Sequence, residues 1–196
     1  MSADRIQGAL EFLREAERLK STLRSGYTSE GRPESVAEHS WRLCLMALVF
    51  ADEFENIDVL RLIKLCIVHD LGEALSGDIP AILQTGDMNK SAQERADLEV
   101  LTQALDPNKR AEIIELWEEY ETAASPEAIL AKGLDKLETI LQHNQGKNPE
   151  DFDYAFNLGY GQKQTSAHPF LATIRAVLDE ETQARADAAK DARADT

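Results

Sequence analysis

The most informative segment of this chain is Val59-Leu-Arg-Leu-Ile-Lys-Leu-Cys-Ile-Val-His-Asp70. Its apolar residues recur every three or four positions, which is the period of an α-helix with one buried side. His69 shares that side with Leu62 and Leu65. Asp70 follows at the end of the helix, where a carboxylate opposes the helix dipole and is costly to bury without a partner. The segment therefore predicts a core helix that ends on two inward polar side chains.

Helical periodicity continues along the rest of the chain. Gly and Pro number only 10 and 6 among 196 residues, and no segment shows the two-residue alternation typical of a strand. In the first helical segment Ile6, Leu10, Leu13 and Leu19 fall on one side, which we expect to face the core. These features predict an all-α helical bundle. Its candidate helices are Asp4–Leu23, Ser35–Phe54, Val59–Asp70, Asn89–Leu105, Pro107–Thr122, Ser125–His143 and a last one from about Pro169. Ser35 with Glu38, Asp58 and Ser125 are the predicted N-terminal caps.

The length of the chain suits one domain with a single core. We assign this domain to residues 1–178. Residues 179–196 contain no large apolar side chain and have little to bury. We expect them to form either a solvated helix end or a disordered tail.

Charge and hydropathy exclude several classes of protein. Lys and Arg number 21 against 36 Asp and Glu, and a net charge of -15 repels a nucleic-acid backbone. The longest apolar run, Leu43–Ala51, is too short to span a bilayer, and Met1–Leu23 has no signal-peptide core. Cys44 and Cys66 allow a disulfide, but two reduced core thiols are the simpler interpretation. We therefore expect a cytoplasmic protein that binds no membrane and no nucleic-acid polymer.

Two further polar residues join His69 and Asp70 on inward helical faces. His39 shares a face with Leu43 and Phe50, and Asp135 lies in a column of small residues on the helix that Ser125 caps. Taken singly, such a histidine is more often a core residue, and such an aspartate is more often solvated. Two imidazoles and two carboxylates together are a donor set suited to Mn²⁺, Fe²⁺, Co²⁺ or Zn²⁺.

Five motifs carry a resemblance to a known family. They are Pro33-Glu-Ser-Val-Ala-Glu-His39, Val68-His-Asp-Leu-Gly-Glu73, Ser76-Gly-Asp-Ile-Pro80, Gly133-Leu-Asp-Lys136 and Glu115-Leu-Trp-Glu-Glu-Tyr-Glu121. Together they resemble the 5'-deoxynucleotidases of the HD-domain phosphohydrolase superfamily, and the last resembles the HD-domain-containing protein 2 branch. The resemblance implies an all-α homodimer that hydrolyses nucleoside 5'-monophosphates with one divalent metal, which would be Mn, Co, Fe or Zn, with Mg possible.

The resemblance also implies roles for individual residues. Glu73 would deliver a proton to the leaving 5' oxygen, a step worth about 10²- to 10⁴-fold in rate. Otherwise it would be a surface carboxylate in a turn. The metal ligands would be His39, His69, Asp70 and Asp135.

Asp78 and Arg24 are the implied substrate residues. Asp78 would lie near the sugar and the catalytic water, although Asp also suits a turn. Arg24 would bind phosphate through its planar fork of donors. The bacterial branch has a tryptophan directly after this arginine, whereas this chain has Ser25-Gly26. Phosphatase activity is therefore implied more directly than a strict preference for deoxyribose. Lys136 would either assist with phosphate or be solvated.

Other activities remain as alternatives. The superfamily also contains cyclic phosphodiesterases, nucleoside triphosphate hydrolases and diiron oxygenases. No histidine lies between His69 and His143, which favours one metal over a diiron site. A non-catalytic, metal-stabilised helical module would not need Glu73 and Asp78. We expect His143 and His168 to lie on the surface, and the two tryptophans, Trp41 and Trp117, to pack in the core.

Overall fold

The computed structural model describes residues 2–79 and 90–194, and its helices confirm the all-α fold. Two short 3₁₀ helices, Glu17–Lys20 and Ala51–Glu53, accompany a small two-stranded sheet of β1 (Leu23–Tyr27) and β2 (Pro33–Ser35). The α-helices are α1 (Ala3–Ala16), α2 (Val36–Val49), α3 (Val59–Val68), α4 (Glu73–Ser76), α5 (Lys90–Leu101), α6 (Pro107–Thr122), α7 (Pro126–Gln145), α8 (Tyr154–Gly159), α9 (Gln162–Thr165) and α10 (Pro169–Ala194).

Helix α7 lies at the centre of the bundle and packs against α2, α3, α6 and α10. Leu134, Leu137 and Ile140 are fully buried along it. Gly133 allows α10 to approach closely, because a Cβ there would lie 2.3 Å from Cδ1 of Leu171. Most of α7 is therefore inside the protein, including its polar residues.

Side-chain caps fix where the principal helices begin. Ser35 and Glu38 form a reciprocal capping box at the start of α2, as the sequence predicts. Asp58 caps α3 and Ser125 caps α7, which has Pro126 in its first turn. Pro80 and Asn89, which bound the predicted loop and the following helix, lie outside the described residues.

The sheet is the main local difference from the sequence prediction. The antiparallel strands pair Leu23 with Ser35 and Tyr27 with Pro33. We expected no strand because β1 and β2 are only five and three residues long and carry no apolar alternation. The hairpin nevertheless matters for the site, because it places Arg24 next to the beginning of α2.

The side of helix α1 that faces the core differs from the predicted one. Ile6, Leu10 and Leu13 are 47%, 43% and 60% exposed, so their predicted inward orientation is wrong. Gly8 is the buried residue of the helix, and a Cβ there would lie 2.0 Å from the carbonyl oxygen of Ala104. Close backbone approach, and not leucine burial, thus sets the orientation of α1.

The C-terminal helix continues through the predicted domain boundary. Beyond residue 178 it still buries Thr182 and Ala186, and Thr182 donates a hydrogen bond to Oδ1 of Asn144 at 3.0 Å. Small and polar side chains therefore make contacts there without any large apolar residue. The division at residue 178 itself stays a prediction. None of the described helices has the length and apolarity that crossing a membrane requires.

Candidate metal centre

Three helical segments bring four polar side chains to one point. The Nε2 atom of His39, from α2, lies 3.3 Å from Nε2 of His69 at the end of α3. It also lies 3.2 Å from Oδ1 of Asp135, which α7 supplies. Oδ2 of Asp70 is 3.0 Å from Nε2 of His69 and 3.8 Å from Nε2 of His39. The structure therefore clusters the donor atoms of His39, His69 and Asp70, and Asp135 joins them through its contact with Nε2 of His39.

The outer nitrogen of each imidazole is already occupied by a protein acceptor. Nδ1 of His69 donates to the carbonyl oxygen of Cys66 at 2.9 Å. Nδ1 of His39 donates to the carboxylate of Glu138, which is fully buried on α7. Both hydrogen bonds fix the tautomer in which Nε2 carries the lone pair. Two lone pairs and two carboxylates thus face one another across a few ångströms.

This arrangement fits a divalent metal ion. Bonds of about 2.0 to 2.2 Å to nitrogen and oxygen place the ligand atoms of a tetrahedral site about 3.3 to 3.6 Å apart, within the range of the separations described above. Two imidazole nitrogens and two carboxylate oxygens are also the mixed donor set that divalent transition metals bind. Glu34, His39 and Glu138 also lie close together, but there Nδ1 of His39 is a hydrogen donor. The assignment of four metal ligands stays a prediction.

Glu138 is a site residue that sequence analysis missed. Arg42 donates to Oε1 of Glu138 at 2.6 Å, so the carboxylate is paired on both sides. Its sequence signal was its place one helical turn after Asp135 on the same helix. The contact with His39 is long-range, and no local pattern could reveal it.

Arg24 reaches the site from β1. Its Nη1 lies 3.4 Å from Oδ2 of Asp70, and its Nη2 donates to Oγ1 of Thr139 at 3.0 Å. Its Nε lies 3.7 Å from Oε2 of Glu34. Burial, together with the nearby Glu138 carboxylate, raises the pKa of Glu34 to about 7. These contacts hold the guanidinium beside the candidate metal centre. The arginine also lines the cavity.

Glu73 is a buried carboxyl group beside the four-residue cluster. It lies at the beginning of α4 with only 2% of its surface exposed. Burial, followed by repulsion from Asp70 and Asp78, raises its pKa to about 9. Lys90, which sequence analysis missed, lies 3.1 Å from Oε1 of Glu73 and 3.0 Å from Glu94. Glu73 is thus placed to carry a proton near neutral pH.

Asp78 and Lys136 line the same cavity. Asp78 follows α4, and burial raises the pKa of its carboxyl group. Nζ of Lys136 donates to Oδ2 of Asp135 at 2.8 Å, so this lysine is not simply solvated. Tyr120 donates to the same oxygen at 2.8 Å. Asp135 therefore keeps its other oxygen, Oδ1, for the cluster.

The cavity has a volume of about 530 Å³ and extends well beyond the metal centre. His143 lies in its wall and is only 7% exposed, so its predicted surface position is wrong. Trp117 is buried, as predicted, whereas Trp41 is 67% exposed and does not pack in the core. The cavity is lined by Arg24, Ser25, Asp70, Glu73, Asp78, Ile79, Lys90, Asp135, Lys136, Thr139, His143, Phe152, Asp153, Phe156, Asn157, Tyr160 and Gln164.

Known proteins resemble this chain in both sequence and fold. A family model described as the HD domain matches residues 16–175. The 5'-deoxynucleotidase HDDC2 of Bos taurus is 39% identical over 153 residues, which are 77% of this chain and 74% of that protein. Its counterpart in Homo sapiens is 40% identical over 72% of this chain and 69% of its own length.

A solved structure agrees with these relatives. It is described as a predicted metal-dependent phosphohydrolase from Magnetospirillum magnetotacticum MS-1. Its TM-score to this chain is 0.77 at 27% identity, and the match covers 92% of this chain and 96% of the other.

Proposed function

This chain belongs to the HD domain family, and on that premise we propose that it is a metal-dependent phosphomonoesterase acting on nucleoside 5'-monophosphates, deoxyribonucleotides among them. The products are a nucleoside and phosphate. The observation that carries the proposal is one cavity whose wall contains Asp70 and Asp135 of the candidate metal centre, the guanidinium of Arg24 and the buried acid Glu73. The naming of its relatives as 5'-deoxynucleotidases supports the same substrate class.

We propose that His39, His69, Asp70 and Asp135 hold one divalent metal. Mn, Co, Fe and Zn all suit the mixed nitrogen and oxygen donors, and Mg is possible. When bound, such a metal polarises the phosphoryl group and makes water a stronger nucleophile near neutral pH. The chain's own residues then have to orient the ester and supply the proton.

Arg24 is the group that we propose orients the phosphate. It lies beside Asp70 at the edge of the proposed metal site, and its side chain is 12% exposed to the cavity. A guanidinium matches two phosphate oxygens at once, which fixes the ester for attack from one side. Thr139 holds Nη2 and thereby limits how far the fork can rotate.

Glu73 is the proposed proton donor. Hydrolysis adds water to phosphorus and breaks the bond to the 5' oxygen, which leaves as an alkoxide unless it is protonated. A carboxyl group whose pKa is raised to about 9 by burial carries the required proton at neutral pH. Asp78 lies on the same wall, and we propose that it contacts the sugar.

Charge pairing in the cavity favours a monophosphate over larger phosphate chains. Among the described residues that line it, Lys90 is paired with Glu94 and Lys136 with Asp135. Apart from Arg24, no lysine or arginine of the described lining is left over for a second or third phosphate. This observation argues against the alternative that the chain hydrolyses nucleoside triphosphates.

We also propose a homodimer in the cytoplasm. Trp41, Leu45 and Leu48 form an exposed apolar stripe on the outer side of α2. A contiguous apolar stripe of this kind is what oligomer interfaces cover. The two cysteines are free thiols, as in reduced compartments. Light scattering of the wild type and of Trp41→Glu tests the dimer, since only the variant should be monomeric.

The decisive experiment for the activity is phosphate release from a panel of nucleotides with each candidate metal. The panel contains 5'-monophosphates of deoxyribo- and ribonucleosides, 3'-monophosphates, cyclic monophosphates and triphosphates. We expect hydrolysis of the 5'-monophosphates and little of the others. Equal rates on the 3' and 5' isomers, or turnover of the cyclic esters instead, would refute the assignment.

A further inference from the structure

One face of α7 runs from the metal centre along the length of the cavity. Asp135, Thr139 and His143 are spaced four residues apart and all line it. At 1.5 Å per residue, Thr139 lies about 6 Å and His143 about 12 Å along the helix axis from Asp135. Thr139 is at the level of Arg24, the proposed phosphate residue. His143 is therefore one further turn away from the reacting centre.

One wall of the cavity is aromatic and runs from Phe152, beside His143, to Tyr160, whose ring centroid lies 5.3 Å from Nζ of Lys136. The rings of Phe156 and Tyr160 stack with centroids 5.7 Å apart and planes inclined by 28°. Phe156 is 36% exposed, whereas Phe54 is buried in the core. Phe152 packs edge-on against His143 at 4.9 Å. An apolar ring left accessible in a cavity offers a stacking surface for a planar ligand.

A buried hydrogen-bond donor lies in the same wall. Burial lowers the pKa of His143, and its Nδ1 lies 3.1 Å from Oδ1 of Asn157. With that oxygen accepting from the neutral imidazole, Nδ2 of Asn157 has no hydrogen-bond partner among the described residues, and Asn157 is 1% exposed. An unpaired buried donor is costly, so an acceptor on a ligand or a water would stabilise this end.

Arg175 fixes the segment that carries these residues. From α10 it donates to the carbonyl oxygens of Asn157, Leu158 and Tyr160 at 2.7, 2.9 and 2.6 Å. These bonds satisfy carbonyl groups at the end of α8, which a helix leaves without partners. The aromatic wall is therefore held in a defined position before any ligand binds.

We propose that this end of the cavity is the nucleoside subsite, in which the base stacks on the ring of Phe156. The proposal rests on the function proposed above and deepens it, since it assigns the part of the substrate that does not react. The order along α7 is then phosphate at Arg24 and Thr139, and nucleoside at His143 and α8. A substrate bound this way spans the cavity with its planar group against the aromatic wall.

The test compares Phe156→Leu, which keeps apolar volume but loses the ring, with Phe156→Tyr, which keeps the ring. Phe12→Leu is the matched control, because Phe12 is a partly buried phenylalanine of α1 that does not line this cavity. The substrate is 2'-deoxyadenosine 5'-monophosphate, and inorganic phosphate serves as the product inhibitor. We expect the KM of Phe156→Leu to rise about tenfold, as the loss of one base–aromatic stack implies. Its kcat should stay within about twofold of the wild type.

The phosphate inhibition constant separates a lost subsite from a damaged fold. It should be unchanged in Phe156→Leu, and Phe156→Tyr and Phe12→Leu should keep the wild-type KM. An unchanged KM in Phe156→Leu, or an equal loss of phosphate binding, overturns the subsite. If the wild type hydrolyses no nucleotide, the proposed function fails. In that case calorimetric titration measures the affinity of the same nucleotide for the wild type and for Phe156→Leu. Weaker binding to Phe156→Leu supports the subsite, whereas equal binding to both proteins, or binding to neither, overturns it.

Discussion

Glu138 accepts a hydrogen bond from Nδ1 of His39 at a place where both side chains are completely buried. A buried carboxylate needs compensation, and Arg42 supplies it from the opposite side. These two contacts offset part of the desolvation cost of the carboxylate, and the carboxylate holds the imidazole in one orientation. Its Nε2 is aimed at the cluster as a result.

We predict that Glu138→Ala weakens metal binding by about 10- to 100-fold, the usual effect of losing the carboxylate behind a histidine ligand. Glu138→Gln should lose less, because its amide oxygen still accepts from Nδ1. Competition with a chelator measures both affinities. The control is Glu180→Ala, an exposed glutamate on α10. Wild-type affinity in Glu138→Ala would show that His39 needs no such support or is not a ligand.

Removing a ligand should remove the metal. His69→Ala and Asp70→Ala are expected to lose it, whereas the purified wild type should hold about one ion per chain. A metal that binds only the folded state adds about 4 kcal/mol at a thousandfold excess over Kd. Chelation should therefore lower the Tm of the wild type and leave that of the variants unchanged. Full occupancy in both variants, measured by elemental analysis, would contradict the ligand assignment.

Glu73→Ala should separate chemistry from metal binding. We expect the metal to stay bound and kcat to fall about 10²-fold or more, because the proton for the leaving oxygen is lost. Elemental analysis and steady-state kinetics on one preparation decide the question. Loss of the metal would make Glu73 a ligand, and a near-normal kcat would move proton delivery to Asp78 or to water.

The pH profile follows from the same residue. Burial and the neighbouring Asp70 and Asp78 carboxylates raise the pKa of Glu73 to about 9. Because the protonated form donates, kcat should be highest below this pKa and fall as pH rises through it. A cation bound at Asp70 removes part of the repulsion, so the alkaline limb is expected at or below pH 9. Glu73→Gln should abolish this limb, and an unchanged limb in that variant would assign it to another group.

Arg24→Ala should mainly raise KM, because the guanidinium contacts phosphate both before and during the reaction. Arg24→Lys should not restore binding, since an ammonium lacks the planar fork that also bonds to Thr139. Steady-state kinetics on both variants test this. A fall in kcat with unchanged KM would mean that Arg24 acts on developing charge in the transition state.

The predictions that the structure confirms depended on residues that are close together in the sequence. Ser35, Asp58 and Ser125 cap helices as predicted, because capping depends on residues three positions apart. The polar residues on the inner sides of α2, α3 and α7 were predicted from periodicity, and the structure brings them together. In these three helices such signals predicted the buried side correctly.

Contacts between distant segments could not be predicted. Lys90 reaches Glu73 from the beginning of α5, and nothing in its own neighbourhood in the sequence indicates this. Leu10 and Leu13 were placed inward because amphipathic patterns assume that leucines drive burial, whereas Gly8 allows the backbone of α1 to approach Ala104. His143 was placed on the surface because it lies near a helix end, yet Phe152 covers it.

Helix α7 supplies both the centre of the core and one wall of the site, through alternating sides of the same twenty residues. Its backbone amides should be among the slowest to exchange with solvent, since opening them requires the whole bundle to open. Heat should therefore inactivate the protein and unfold it in a single event. Loss of activity and loss of structure should therefore occur at the same temperature, and a partly opened form with partial activity should not accumulate.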